Sequence, residues 1–314
     1  METCTVYGTV MRTDCGFAKR LPHSTASPEL EFVCRDEASD PFGVDDLPLL
    51  YESEPIGYEL QRIQLFADGD TDILRFGEVA DYIIGDRRIE CRLHDPNLEY
   101  LVEIHALGIV LAHWLERRSV LALHASAVVI GEGAVGFLAP KEGGKTTLAA
   151  ALLRAGRSLL ADDLLALEET AGGIRANPGV PQMRMWPDDA DYFVDSHGPL
   201  EVAHPGFSKR RVRIGEDFGS FHPATAPLRA IYVPERRSDS SGGIVIDPIR
   251  GADAVRVLLD TMFTDVPTGQ SDSAGQRLHF LAGLASTVPV RRLGYPSGRH
   301  RYEDVVAAIE GDRR

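Results

Sequence analysis

Along the first 95 residues, apolar and polar positions change over too quickly for helices. Short runs at 4–11 (CTVYGTVM), 58–66 (YELQRIQLF), 81–84 (DYII) and 88–93 (RIECRL) are separated by Pro, Gly and Asp clusters such as 38–48 and 68–71. This predicts an antiparallel, β-rich N-terminal domain over 1–95. At Asp95-Pro96-Asn97 the period switches to 3.6: Leu98, Leu101, Val102, Leu107, Leu111, Trp114 and Leu115 form one apolar stripe that ends at Arg117 and Arg118. A connecting helix over 96–118 is predicted.

From 119 the pattern is α/β. Residues 120–130 (VLALHASAVVI) and 135–139 (VGFLA) read as buried strands joined at Gly131-Glu132-Gly133, and 145–155 as an Ala/Leu helix stopped by Gly156. Residues 158–161 read as another buried strand, followed by Asp162-Asp163. A strand-loop-helix-strand order places a ligand beyond the first strand's C-terminal end, in a parallel-sheet crevice. Strands near 229–234 and 289–293 and helices near 251–262, 273–285 and 302–310 complete the predicted domain, with a loop or hairpin tip at 236–242.

Composition narrows the classes. The 314 residues are 44% apolar and 25% charged, which suits a soluble globular protein with room for two cores. A net charge of −14 argues against a nucleic-acid or anionic-membrane partner. The four cysteines, Cys4, Cys15, Cys34 and Cys91, show no metal-ligand spacing, so reduced thiols are expected. The start, Met1-Glu2-Thr3-Cys4, lacks a basic secretory region, and the apolar run 107–115 is too short to span a bilayer. A cytoplasmic protein is the expectation.

Only four of the 33 basic residues are lysines, which gives weight to the one in FLAPKEGGKTTL (137–148). Gly144-Lys145-Thr146 matches the second half of a phosphate-binding loop. There backbone N–H groups and a helix N-terminus receive phosphates, the lysine meets their charge and the hydroxyl holds Mg²⁺. Ala139 stands where the pattern opens on glycine and is tolerable at negative φ. Glu142 has to turn outward or pair with Lys141. Of the adjacent Asp162 and Asp163 at a strand end, at least one has to face the crevice, where a carboxylate can reach Mg²⁺ directly or through water; a solvated turn is the other reading. His124, taken alone, reads as an ordinary strand histidine. Lys209, Arg210, Arg211 and Arg213 form a dense basic cluster, readable equally as a solvated loop or as a cationic lid with Arg211 on the nucleotide. Arg184, beside Trp186, is a candidate substrate or nucleotide contact.

Taken together, LHASAVVI (123–130), GGKTTLAAALLRAG (143–156) and LLADDLLAL (159–167) resemble the catalytic domain of HPr kinase/phosphorylase, and most of all the HPr-kinase-related proteins of peptide-modification gene clusters, such as lasso-peptide kinases. The resemblance implies an α/β P-loop kinase domain of HPr-kinase/PEP-carboxykinase-like type over 119–314. It also implies ATP or another NTP with Mg²⁺ as cofactors, and transfer of the γ-phosphoryl group to a serine of a peptide or small protein. By position, Gly143, Gly144, Lys145, Thr146 and Thr147 would hold the nucleotide, Thr146 and Asp163 the metal, Asp162 would be the base, and His124 would orient the catalytic carboxylate or the acceptor. Family members usually carry glycine at the positions of Ala139 and Glu142. A homo-oligomer is open, since HPr kinases are hexamers. A nucleotide-binding regulator or scaffold, or a small-molecule kinase, are the rival readings.

Overall fold

Tyr7 and Gly8, at φ 53° and 80°, turn strand β1 (Glu2–Val6) directly into β2 (Thr9–Thr13). The single strand expected over 4–11 is therefore a two-residue hairpin, whose positive-φ corner follows the strand twist. The structure is a computed structural model and describes residues 1–35, 42–55, 61–140, 143–194, 198–237, 242–269 and 273–312. The chain divides into two compact units, Met1–Leu121 with Phe263–Arg277, and Ala122–Met262 with Leu278–Arg314. It is a mixed α/β protein with a large sheet in each unit.

In the first unit β1 and β2 join β3 (Leu30–Arg35), β4 (Leu49–Glu52), β5 (Ile63–Asp68), β6 (Thr71–Phe76), β7 (Ala80–Ile84) and β8 (Arg88–Leu93). The order is β1-β2-β3-β8-β7-β6-β5-β4. The β2–β3 and β3–β8 pairings are parallel, so the expected antiparallel sheet is mixed. A helical turn at Gly16–Arg20 carries the chain back to the start of β3 and permits this. Helix α1 (Tyr100–His105) and helix α2 (Leu111–Glu116) are separated by a wide turn over Ala106–Val110, where Gly108 adopts φ −111°, ψ −115°. The apolar stripe was right, but glycine releases the helical ladder midway.

The expectation of reduced thiols needs correction. Cys15 and Cys34 form a disulfide, and Cys4 and Cys91 are free and buried. Parallel pairing of β2 with β3 brings the ends of both strands together, a juxtaposition invisible in the spacing. Burial, aided by Glu2, pushes the Cys4 thiol up to about 11, and burial pushes Cys91 up to about 12, so neither is a reactive thiolate. Cys34→Ser should cost about 3 kcal/mol through the freed 19-residue span, read as a lower thermal midpoint that reductant reproduces in the wild type. A wild-type midpoint indifferent to reductant would contradict the bond. Among the described residues no helix is long and apolar enough to cross a membrane.

The second unit contains β9 (Val120–Ile130, from Ala122), β10 (Gly133–Leu138), helix α3 (Lys145–Arg154), β11 (Ser158–Ala161), β12 (Leu164–Thr170) and β13 (Gly173–Asn177). The stretch left without elements in the sequence pattern forms β14 (Gln182–Met185), α4 (Pro187–Phe193), β15 (Val202–His204) and β16 (Phe207–Arg213). β17 (Ser220–Phe221), β18 (Ala226–Arg237), β19 (Val245–Ile249), α5 (Gly251–Leu259), α6 (Ser273–Thr287, from Leu278), β20 (Val290–Pro296) and α7 (Tyr302–Asp312) follow. Of the expected loop at 236–242, Arg236 and Arg237 extend β18, and 238–241 lie outside the described residues.

β9 runs antiparallel between β10 and β11, with Leu138 opposite Ala125, Phe137 opposite Ser126 and Ala161 opposite Ala127. β10 and β11 thus point the same way without being neighbours, and their C-terminal ends emerge beside the first half of β9. β18 flanks β10 in parallel on its other side. Helix α3 covers this sheet with Leu148, Ala149, Leu152 and Leu153, packed in one core with Val128, Phe137, Leu159 and Tyr232. Burying each leucine contributes about 2 kcal/mol, and the alanines let α3 lie close to the strands. The result is a rigid edge at which β10, β11 and β9 present their chemistry.

Candidate active site

The phosphate loop leaves β10 at Ala139 and enters α3 at Gly144, whose φ of +88° suits glycine alone. Among the described residues, positive φ outside glycine falls only on Tyr7, Ser119 and Asp163, so Ala139 meets the condition its side chain requires. It is buried against Gly143, where an added Cβ would lie 2.4 Å from the Ala139 methyl. One small residue at each end of the loop is thus enough for closure. Lys141 and Glu142 lie outside the described residues. No side chain caps α3, so its first N–H groups remain available to an anion. The Lys145 ammonium, 7% exposed, donates to the carbonyls of Ala139 (2.6 Å) and Pro140 (3.2 Å). Burial lowers its pKa against the pull of Asp162 and Asp163.

Consecutive residues of a strand point to opposite faces, yet Asp162 and Asp163 serve one site. A tight turn solves this: Asp163 sits at φ +74°, the Leu164 N–H bonds back to the Asp162 carbonyl (3.0 Å), and the Ala125 N–H holds the Asp163 carbonyl (3.2 Å). A non-glycine residue in this region is strained, and such strain is kept where the site needs it. Asp162 Oδ1 accepts from Ser126 Oγ (2.5 Å) and Thr146 Oγ1 (3.1 Å), while Oδ2 accepts from the Arg184 N–H (3.3 Å). Burial and the neighbouring Asp163 charge raise Asp162 above the usual carboxylate range, against the lowering effect of those donors. Asp163 faces outward, with Oδ1 3.2 Å from His124 Nδ1 and Oδ2 3.4 Å from Arg184 Nη1. Its burial is outweighed by His124, Arg184 and the charge of Lys209, which hold it well below the ordinary range. The His124 N–H is fixed by the Thr261 carbonyl (2.7 Å) at the end of α5.

The basic segment lies in β16, paired to β14 with Arg184 opposite Arg211. Alternation sends Met183, Met185 and Val212 into the core and turns Gln182, Arg184, Lys209, Arg211 and Arg213 to the other face. Of these, Arg184 reaches the Asp pair, while Lys209 rests over the Trp186 ring at 5.1 Å. The Arg211 guanidinium is buried against Gln182 Oε1 (2.8 Å) and Glu201 (3.5 Å), and Arg213 pairs with Glu216 and Asp217. Thr147 donates to Asp189 Oδ2 (3.0 Å) on α4.

The fold therefore gathers Lys145, Thr146, Asp162, Asp163 and His124, adds Arg184, and engages Arg211 and Thr147 with side chains of their own surroundings. Ser126 was not singled out in the sequence. It lies two residues after His124 on the same face of β9, and that period was the signal that could have found it.

The arrangement sets a helix start without a side-chain cap beside paired carboxylates on an α/β scaffold. No protein-family model matches the chain. No curated protein matches it either. Among solved structures the chain is similar to the Hpr(Ser) kinase/phosphatase from Coxiella burnetii, at 10% identity and a TM-score of 0.32, over 61% of this chain and 95% of that one. A likeness at that score carries no weight for activity, which has to rest on the side chains of this chain.

Proposed function

We propose that the protein is an ATP- and Mg²⁺-dependent kinase that transfers the γ-phosphoryl group to a hydroxyl, the acceptor being a serine of a peptide or small protein. The observation that carries this is the junction at Asp162: its Oδ1 is 3.1 Å from Thr146 Oγ1 of the phosphate loop, and the next residue holds a second carboxylate against His124. A nucleotide sensor uses the first feature and has no need of the second.

The residues fit the absent groups. Thr146 and Asp162 place two oxygens together at the head of α3, and a cation there would relieve the burial and repulsion that raise Asp162. Bound MgATP supplies the transferable group and neutralises part of its charge. Lys145, Gly144 and the uncapped end of α3 bind the phosphates.

This geometry favours a division of the Asp pair opposite to the one the resemblance implies. Asp162 faces the metal side with Thr146, and Asp163, outward and oriented by His124 and Arg184, faces the acceptor hydroxyl. A carboxylate with a depressed pKa is a weak base. Phosphoryl transfer asks it mainly to orient the hydroxyl and take its proton late, as the loose transition state develops.

The second unit is then the catalytic domain. Mixing the protein with γ-labelled ATP, Mg²⁺ and serine-containing peptides should place label on serine, and chelation of Mg²⁺ should stop it. ATP binding with neither turnover nor labelled acceptor would favour the sensor instead.

A further inference from the structure

β18 lies parallel beside β10, with Tyr232 opposite Phe137, so its continuation passes the phosphate loop at the same edge of the sheet. Arg236 is carried there. A Cβ built on Gly144 would lie 2.9 Å from Arg236 Nη2, 3.1 Å from its Nε and 3.2 Å from Tyr295 Oη. The guanidinium therefore rests directly on the left-handed residue that opens α3.

Its neighbours differ from it in one respect. Arg237 donates to the carbonyls of Gly243 and Gly294, Arg291 pairs with Asp312, Arg292 with Glu235, and Arg299 with Asp189 and the Asp188 carbonyl. Among the described residues Arg236 has a single hydrogen bond, from Nε to Tyr295 Oη at 3.4 Å, and no ion pair. The Tyr295 ring is buried in the core and fixes where that arginine lies. Two positive features thus meet at Gly144, the Arg236 guanidinium and the N-terminal end of the α3 dipole, with the Asp189 carboxylate the negative charge acting on Arg236. A phosphate oxygen there would be attracted both by the guanidinium and by the helix end.

We infer that Arg236 is a further ligand of the nucleotide's phosphate chain, approaching the loop from β18 on the side away from Asp162 and Thr146. A planar fork of donors suits phosphate oxygens, and the Tyr295 bond pre-sets its orientation. Gly144 then has two reasons to be glycine, its backbone angle and the room that Arg236 occupies. This inference rests on the nucleotide reading of the loop.

The test uses the full chain and two probes, MgATP and inorganic tripolyphosphate with Mg²⁺, titrated by calorimetry against wild type, Arg236→Ala and Arg236→Lys. Arg236→Ala should weaken both probes by about tenfold to a hundredfold, the loss expected for a charge-assisted contact. Arg236→Lys should recover part of that loss, and the melting point without ligand should stay put because the side chain is at the surface. Unchanged affinities in Arg236→Ala would overturn the inference while leaving the kinase reading intact. Weaker ATP with unchanged tripolyphosphate would also overturn it, moving the contact to ribose or base. A wild type that binds neither probe would remove the nucleotide reading itself, and this inference with it.

Discussion

Lys145→Met should lose nucleotide binding by about two orders of magnitude and transfer by more, while the ligand-free protein melts no lower than wild type. The ammonium is buried, and it would meet phosphate charge with little water between them. One charge-assisted contact contributes roughly 1.5–3 kcal/mol to binding. A donor aimed at charge that grows in the transition state contributes about 10²–10³ in rate. The stability half of the expectation follows from sign. Burial depresses the folded pKa of Lys145, so the unfolded chain holds that proton more tightly. The charged group is a penalty at neutral pH, and stability rises as pH climbs through the folded pKa. Methionine keeps the stem's volume, removes the charge and gives up the bonds to Ala139 and Pro140. Thermal scans with and without MgATP check both halves. An ATP-induced shift that survives in the variant would remove Lys145 from the site.

The two aspartates should separate in a second experiment. Asp163→Asn should reduce transfer by about 10²–10⁴ while MgATP still binds, because it removes the group facing the acceptor. Asparagine tolerates the left-handed backbone at φ +74° as aspartate does, so the turn that aims both residues is preserved. Asp162→Asn should instead weaken binding of MgATP and leave metal-free ATP nearly unaffected, since its oxygen sits with Thr146 Oγ1. Mg²⁺ titrations of nucleotide affinity and single-turnover transfer read the two effects. If Asp162→Asn keeps its Mg²⁺ response and loses only transfer, the assignment reverts to Asp162 as the base.

What was legible in the sequence was whatever is contiguous. Gly144, Lys145 and Thr146 act from one turn of backbone, and the alanine-rich run after them can only be a helix lying close on a sheet. Asp162-Asp163 announced itself as a pair, though the positive φ that lets both face one site did not show. Arg211 and Lys209 looked alike in SKRRVR. Register against β14 set them apart, giving Arg211 to Gln182 and Glu201 and leaving Lys209 on Trp186. The hairpin at Tyr7-Gly8, the break at Gly108 and the Cys15–Cys34 bond were missed because each depends on a backbone angle or a strand partner.

By itself, then, the sequence determined an α/β unit in which Gly144, Lys145 and Thr146 open a helix and an Asp pair closes the next strand, because groups that act from one turn of backbone must be adjacent in the chain. Only the tertiary structure decided which distant groups complete the site. The insertion of β9 between β10 and β11 brought Ser126 and His124 to the carboxylates, and the run of β18 beside β10 brought Arg236 to Gly144. The physical reason is that strand order and register are settled by burial of the whole sheet, and no local pattern encodes who will stand beside whom.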